Sequence, residues 1–229
     1  MNALLISGTD TDVGKTFVTV SLAAYWQKII LSNEKNSLGI LKLAQTGIGD
    51  LKLYRKLFDN SNKISAQAGQ QFAKPLAPPI AAAKVGKSVD LNAIWQSLVA
   101  LQQQHDFVLV EALGGLGSPI TEELTIANIA ADWRLPTVLV VPVKLGAIAQ
   151  IVANVALARS LNVDLKGIVL NCGSNYLSEA ELADLTPIKL IQNLTQVPII
   201  GILPHLQLED TQKLAAVVAN WDLELILPL

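Results

Sequence analysis

Short apolar runs alternate along this chain with longer segments in which apolar residues recur every three or four positions. The runs are predicted strands at residues 3–7, 38–43, 107–111, 137–143, 165–171 and 199–203. Most of them are apolar at consecutive positions, which is typical of strands that are covered on both faces. The pattern therefore favours a parallel sheet that lies between layers of helices.

Helical periodicity appears between these runs, at residues 15–30, 91–101, 145–161 and 210–220, and Asp90 is the predicted N-cap of the second segment. Strands that alternate with helices predict a doubly wound, mainly parallel α/β fold with right-handed crossovers. We find no internal repeat, low-complexity tract or linker. Residues 1–229 are therefore expected to form a single domain, with the proline-rich stretch 75–86 as a loop beside the ligand site.

Composition narrows the possible partners. Charged residues make up only 16% of the chain, which indicates either a surface partly covered by another subunit or a large buried sheet. The net charge of −2 argues against a nucleic-acid partner, and the single cysteine excludes an internal disulfide. The first residues lack the basic segment of a signal peptide, and Lys144 interrupts the longest apolar run, so the expectation is a cytoplasmic protein without membrane association.

The segment GTDTDVGKT, residues 8–16, follows the first predicted strand and opens a predicted helix. Successive backbone N–H groups and the positive end of a helix dipole bind phosphate in this context. Lys15 would reach the β- and γ-phosphates, and the Thr16 hydroxyl would face Mg²⁺. An ordinary glycine-containing turn is the alternative, but strand, glycines, Lys-Thr and helix together favour a P-loop NTPase-like fold. The usual P-loop pattern has its first glycine at position 9, whereas this chain has Gly8 and Thr9.

Two more predicted strands end in ionisable residues. Lys42 leaves the second strand beside the phosphate loop, although an isolated lysine more often covers apolar neighbours with its stem. Glu111 ends the strand DFVLVE, where P-loop proteins place an acid that holds Mg²⁺. A capping or solvated acid is the alternative, but a glycine-rich turn follows Glu111 directly. Ligands of such sheets bind beyond the carboxyl ends of the strands, so we expect these groups to converge.

The later strand ends offer recognition groups. Leu145 and Gly146 precede a predicted helix whose first N–H groups would capture a carboxylate. Asn171 offers a donor and an acceptor that match an adenine edge, or it caps the next turn. Loop residue His205 is expected to stack on a ring or to be solvated, and we assign it no catalytic role.

The phosphate-loop segment resembles that of the dethiobiotin synthetase family, which runs G-T-D-T-[DE]-V-G-K-T and carries the same displaced glycine. The family segment K-P-V-x-[ST]-G is similar to residues 42–47, where Leu43 and Ala44 replace proline and valine. The family pattern V-E-G-A-G-G is similar to VEALGG, residues 110–115. The similar segments run in fold order from residue 5 to residue 209, so on this resemblance the loop is a variant rather than a damaged P-loop.

The resemblance implies ATP and Mg²⁺ as cofactors and a homodimer that completes the substrate-carboxylate pocket across its interface. The implied catalytic residues are Lys15 and Lys42. The implied metal ligands are Thr16, Asp50 and Glu111. The implied substrate contacts are Thr11, Thr46, Leu145 and Gly146. The implied nucleotide contacts are Asp12, Val13, Gly14, Lys15, Thr16, Phe17, Asp50, Glu111, Ala112, Leu113, Gly114, Asn171, Cys172, Pro204, His205 and Leu206.

The implied reaction joins small molecules: a diamino acid (7,8-diaminopelargonate), CO₂ and ATP. An amine and CO₂ give a carbamate, a carbamate oxygen attacks the γ-phosphate, and the second amine closes the ureido ring and expels phosphate. Two lysines suit this path, because carbamate and γ-phosphate are anions that must approach each other.

Two other functions fit parts of the pattern. A partitioning or metal-cluster-assembly ATPase would share the fold, but its loop usually carries an early lysine, where this chain has Asp10, Thr11 and Asp12. A related ATP-dependent ligase that acts on another acid is the second alternative.

Overall fold

The computed structural model of the chain describes residues 2–30, 36–47, 49–58, 61, 63–173 and 176–228. Its centre is a seven-stranded sheet in the order β3-β2-β4-β1-β5-β6-β7. All neighbouring strands pair in parallel. The strands are β1 (Ala3–Gly8), β2 (Leu38–Thr46), β3 (Ile64–Phe72), β4 (Phe107–Gly115), β5 (Thr137–Pro142), β6 (Leu165–Asn171) and β7 (Ile199–Leu203).

Helices cover both faces of the sheet. They are α1 (Lys15–Tyr25) with a π-helical extension (Trp26–Ile30), α2 (Asp50–Phe58), α3 (Pro78–Ala83), α4 (Leu91–Gln104), α5 (Ile126–Asp132), α6 (Ala147–Ser160), α7 (Glu179–Leu185), α8 (Ile188–Thr195), α9 (Thr211–Val218) and a short 3₁₀ helix (Leu223–Leu225). This architecture confirms the predicted doubly wound, parallel α/β fold. None of the described helices has the length and apolar character needed to cross a membrane.

Two hydrophobic cores lie on opposite faces of the sheet. Residues of β1 alternate between them: Leu5 packs with α4, α5 and α6, whereas Leu4 and Ile6 pack with α1, α2 and α9. The same alternation in β2 places Ile40 on the face of α1 and α2, and therefore also Lys42, two residues further on. Side chains at alternate positions of the central strands thus point toward α1 and α2.

The structure confirms the six predicted strands and the Asp90 cap, whose Oδ1 accepts a hydrogen bond from the backbone N–H of Ala93 at 3.0 Å. It adds β3, which the apolar pattern missed. This strand, ISAQAGQQF, lies at the sheet edge, pairs only with β2, and is mostly half-buried, so it lacks a continuous apolar run.

Several boundaries differ from the prediction. Strands β2 and β4 extend to Thr46 and Gly115, so Lys42 and Glu111 lie inside the sheet ladder rather than at its tips. The stretch 75–86 is not entirely a loop, because Pro78 begins the helix α3, where the fixed φ of proline suits the first turn. The first predicted helix changes from α to π geometry at Trp26.

Candidate active site

The strand order brings the predicted site segments together, because β1, β4 and β2 are adjacent and parallel. Their carboxyl ends therefore lie at one edge of the sheet, and a cavity of about 720 Å³ opens there. This volume falls within the range of roughly 300–1,000 Å³ that small-molecule sites occupy. Twelve of the residues predicted for the site line the cavity: Thr11, Asp12, Gly14, Lys15, Thr16, Phe17, Lys42, Thr46, Asp50, Glu111, Leu113 and Gly114.

The phosphate loop leaves β1 after Gly8 and ends at Gly14, the N-cap of α1. Gly14 has φ 97°, and a Cβ there would lie 1.9 Å from Nδ2 of Asn171, so only glycine fits. Glycine is also required at the displaced position 8. The loop folds back over the strand there, and a Cβ on Gly8 would lie 2.5 Å from Val13 Cγ2. The variant loop is thus a well-packed strand-to-helix turn, as a phosphate cradle requires.

Lys15 is the first residue of α1, and its ammonium donates to the backbone carbonyl of Asp10 at 2.8 Å. Its side chain is buried beneath the loop. Burial lowers the pKa of Lys15 to about 8; the Lys42 ammonium adds to this effect, and the Glu111 carboxylate opposes it. Lys15 is therefore a cation held in the centre of the anion cradle at neutral pH.

Lys42 and Glu111 face each other across the ladder of β2 and β4. Lys42 Nζ lies 2.5 Å from Glu111 Oε1 and 2.6 Å from Oδ2 of Asp50, the first residue of α2. Burial alone lowers the pKa of Lys42, but the carboxylates of Glu111 and Asp50 outweigh that effect and raise it. Lys42 therefore remains protonated in the site.

Thr16 completes this cluster, because its hydroxyl donates to Glu111 Oε1 at 2.9 Å. The three predicted metal ligands thus gather around one point, and all of them are hard oxygen donors. Within the described residues no group of three or more His, Cys, Asp or Glu side chains forms a metal site. Two carboxylates and a hydroxyl nevertheless suit Mg²⁺, which usually takes its other ligands from water and substrate phosphates.

Tyr54 is a site residue that sequence reasoning missed. Its side chain is fully buried on α2, and its hydroxyl donates a hydrogen bond to Glu111 Oε2. The signal was its position four residues after Asp50, which places both side chains on one face of a helix. Other unpredicted residues line the cavity: Ala44, Gln45, Gly49, Ser118, Pro119 and Leu208. Pro75, Leu76 and Ala77 also line it, which confirms that the start of the stretch 75–86 lies beside the site.

The remaining predicted nucleotide contacts lie behind or beside the cavity. Val13 and Ala112 are buried in the packing behind its wall. Asn171, at the end of β6, donates from Nδ2 to the Val13 carbonyl at 2.9 Å and accepts at Oδ1 from the N–H of Gly173 at 3.2 Å. Asn171 therefore holds the phosphate loop in place, and its role in reading adenine stays a prediction.

Four predicted nucleotide contacts lie at the ends of β6 and β7. Cys172 is buried, which raises the pKa of its thiol, and its N–H donates to the Leu203 carbonyl at 2.9 Å. His205 Nδ1 donates to the Gly173 carbonyl at 2.8 Å, and its ring meets Tyr176 edge-on with 4.3 Å between centroids. Pro204 and Leu206 are the sequence neighbours of His205. None of the four lines the main cavity.

The predicted carboxylate-binding residues do not reach the cavity within this chain. Gly146 is the N-cap of α6, and Leu145 before it is 92% exposed. Neither residue lines the cavity. A substrate group that binds at the start of α6 would therefore lie outside the cavity that the single chain encloses.

Comparisons with known proteins agree with this fold. The model of the AAA domain family matches residues 2–213. The ATP-dependent dethiobiotin synthetase BioD of Gloeothece citriformis is 57% identical over 230 aligned residues, with full coverage of both chains. The protein of the same name from Crocosphaera subtropica is 50% identical, with 99% of this chain and 100% of that protein covered.

Solved structures show likeness of fold alone. A ParA family ATPase from Chlorobium tepidum superposes with a TM-score of 0.57 at 10% identity, covering 98% of this chain and 91% of the other. The MinD cell division protein of Aquifex aeolicus superposes with a TM-score of 0.56 at 14% identity, covering 94% and 87%.

The lowered pKa of Lys15 predicts proton uptake when ATP binds at alkaline pH. The free protein loses this proton near pH 8, whereas a bound polyphosphate retains it. Uptake linked to Lys15 should therefore rise from about one tenth of a proton at pH 7 to about nine tenths at pH 9. Calorimetry in buffers of different ionisation enthalpy measures it. Lys15→Arg is the control, because a guanidinium stays charged throughout this range; equal uptake at both pH values in the unsubstituted protein would contradict the prediction.

Proposed function

The chain belongs to the dethiobiotin synthetase family, and from that premise we propose that it is an ATP- and magnesium-dependent ligase of biotin biosynthesis. It converts 7,8-diaminopelargonate, CO₂ and ATP into dethiobiotin, ADP and phosphate. The observation that carries the proposal is the convergence of Lys15, Lys42, Asp50 and Glu111 on one cavity. Three of these four residues lie far apart in sequence and meet only because β1, β2 and β4 are neighbours.

The phosphate loop and Lys15 bind the triphosphate of ATP. Backbone N–H groups at the start of α1 point toward the β- and γ-phosphates, and the Lys15 ammonium lies among them. When bound, Mg²⁺ neutralises phosphate charge, and Thr16, Asp50 and Glu111 would hold it. The protein thus contributes mainly positioning and charge, which is what phosphoryl transfer requires.

Lys42 brings the second anion to this site. The carbamate, formed from one substrate amine and CO₂, must approach the γ-phosphate with a repulsion on the order of 4 kcal/mol per contact at an effective dielectric constant near 20. Lys42 offsets this repulsion as a cation, because Asp50 and Glu111 keep its pKa high. A carbamate oxygen attacks the γ-phosphorus and ADP leaves. The second amine then attacks the carbamoyl carbon, loses its proton and expels phosphate.

The cavity walls fit the diamine substrate. Thr11 and Thr46 line it, and their hydroxyl groups bind the amines or the carbamate. Pro75, Leu76 and Ala77 form an apolar wall that suits the methylene chain. The substrate carboxylate then extends beyond the enclosed part of the site, and binds the N–H groups at the start of α6 in a second copy of the chain.

Helix α6 provides the surface for such a homodimer. Its core-facing stripe consists of Ala147, Ile151, Val155 and Ala158, whereas Ala149, Val152, Ala153 and Ala156 form a second apolar stripe that is exposed. A helix that is apolar on two faces is typically covered on both. A depression of about 250 Å³ between this stripe and loop residues Thr9 and Asp10 places the exposed face beside the phosphate loop.

The direct test of the function is an assay of the purified protein with 7,8-diaminopelargonate, bicarbonate, Mg²⁺ and ATP, with product mass as the readout. We expect dethiobiotin, together with equal amounts of ADP and phosphate, and no product when any one component is omitted. ATP hydrolysis that does not depend on the diamine would instead favour a switch ATPase. Turnover with a different acid would favour a related ligase.

Replacement of Lys42 tests the charge-offset mechanism. Lys42→Ala should lower turnover by about 10²–10³-fold, since one pre-oriented charge at the reacting atoms is lost. ATP affinity should change by less than about threefold, because Lys15 and the loop remain. The control is Lys52→Ala, which removes an exposed lysine from α2. Near-normal ring formation by Lys42→Ala would remove this residue from the mechanism.

Replacement on α6 tests the homodimer. Ala153→Arg should weaken dimerisation by about 100-fold, because two-fold symmetry would bury the new charge twice. Analytical ultracentrifugation measures the association, and the KM for the diamine should rise as dimers dissociate. Gln103→Arg on the exposed face of α4 is the matched control. A dimer of unchanged affinity in Ala153→Arg would place the interface elsewhere.

The single-domain organisation and the cytoplasmic location remain predictions.

A further inference from the structure

The Tyr54 hydroxyl contacts the carboxylate of Glu111, which the proposed chemistry requires in one fixed position. Tyr54 lies on α2 with no exposed surface, and its hydroxyl donates to Oε2 of Glu111, which is equally buried. We propose that Tyr54 is a positioning residue that fixes the Glu111 carboxylate in the orientation needed to hold magnesium. This inference rests on the proposed function in one respect, the use of Glu111 as a metal ligand.

The hydrogen bonds around Glu111 show why the carboxylate needs such a partner. Lys42 and Thr16 both donate to Oε1, at 2.5 Å and 2.9 Å, which leaves Oε2 without either of them. The terminal torsion of a glutamate is broad, so donors on one oxygen alone leave the carboxylate plane poorly defined. A donor on Oε2 fixes the plane. Because no water reaches a fully buried group easily, a protein hydroxyl is the donor that can do this.

Tyr54 also links Glu111 to the second candidate metal acid. Asp50 and Tyr54 lie one turn apart on α2, and Asp50 bonds Lys42 while Tyr54 bonds Glu111. Helix α2 therefore positions the Asp50 carboxylate directly and the Glu111 carboxylate through the Tyr54 hydroxyl. Partners that orient metal ligands in this way typically change metal affinity or activity by about 10–100-fold when removed.

A different role for Tyr54 is purely structural. It packs in the core on the α1 and α2 face of the sheet, together with Tyr25 and Phe58. A buried tyrosine hydroxyl generally finds some hydrogen-bond partner, whatever its function. The two roles differ in one measurable respect: a packing role affects stability and nucleotide binding alike, whereas a positioning role affects the contribution of the metal.

The test compares Tyr54→Phe with the unsubstituted protein by calorimetric titration of AMP-PNP, once with Mg²⁺ and once with EDTA. We expect the affinity in EDTA to stay within about twofold. We expect the gain in affinity that Mg²⁺ produces to fall about tenfold. In the assay, the Mg²⁺ concentration for half-maximal turnover should rise by a similar factor, while the KM for the diamine stays unchanged.

Two controls separate the hydroxyl from the aromatic ring. Tyr25→Phe removes a hydroxyl from the same core, and among the described residues no hydrogen bond joins Tyr25 to Lys42, Asp50 or Glu111. It should leave both affinities unchanged. 4-Aminophenylalanine at position 54 retains a donor at the same place and should restore the magnesium gain, even if Tyr54→Phe proves too unstable to titrate.

Two outcomes would overturn the proposal: a magnesium gain that is unchanged in Tyr54→Phe, as equal losses of affinity with Mg²⁺ and with EDTA would leave it, or no magnesium gain in the unsubstituted protein. Failure of the proposed function is recognised separately. In that case the unsubstituted protein forms no dethiobiotin, while the AMP-PNP titrations still report on Tyr54 and Glu111.

Discussion

A carboxylate with no exposed surface in the middle of a parallel sheet must be compensated, and the site is organised around that requirement. Glu111 faces Lys42 across the ladder, and the remaining hydrogen bonds come from the first turn of α1 and the second turn of α2. A one-residue slip between β2 and β4 would turn Lys42 to the opposite face and leave the acid unpaired. The strand register and the placement of two helices are thus tied to one buried charge.

Parallel strands with a continuous apolar run are easily recognised from sequence, whereas a partly solvated strand such as β3 is not. The apolar runs predicted the five strands inside the sheet and also β7 at one edge. The rule that ligands bind at carboxyl ends predicted that Lys15, Lys42 and Glu111 would meet. Strand β3 was missed because its outer edge and much of its faces are partly solvated, so that its sequence is rich in Gln and Ala. It can be recognised as a strand only from its pairing with β2.

Contacts that depend on tertiary geometry, such as the strand register, also could not be predicted from the sequence. Lys42 and Glu111 are 69 residues apart in the sequence, and their ion pair follows from the register of β2 against β4. The apolar pattern does not determine that register. Tyr54 lies on α2, a helix that the apolar periodicity did not predict. The amide of Asn171 suggested a contact to the base or a cap of the next turn. The structure shows the cap, through the N–H of Gly173, and adds a bond to the phosphate loop that was not predicted. For Lys42, Glu111 and Asn171 the residue type suggested the chemistry, and the tertiary geometry determined the partner.

The contact between Asn171 and the loop has a consequence for ligand recognition. A loop that is tied by a buried amide to the end of β6, and whose Gly14 admits no side chain, has few alternative shapes. The conformational entropy of ordering it is therefore lost when the chain folds rather than when a ligand arrives. Preorganisation of this kind leaves more of the intrinsic affinity for phosphate available to drive association, at the expense of a less adaptable rim.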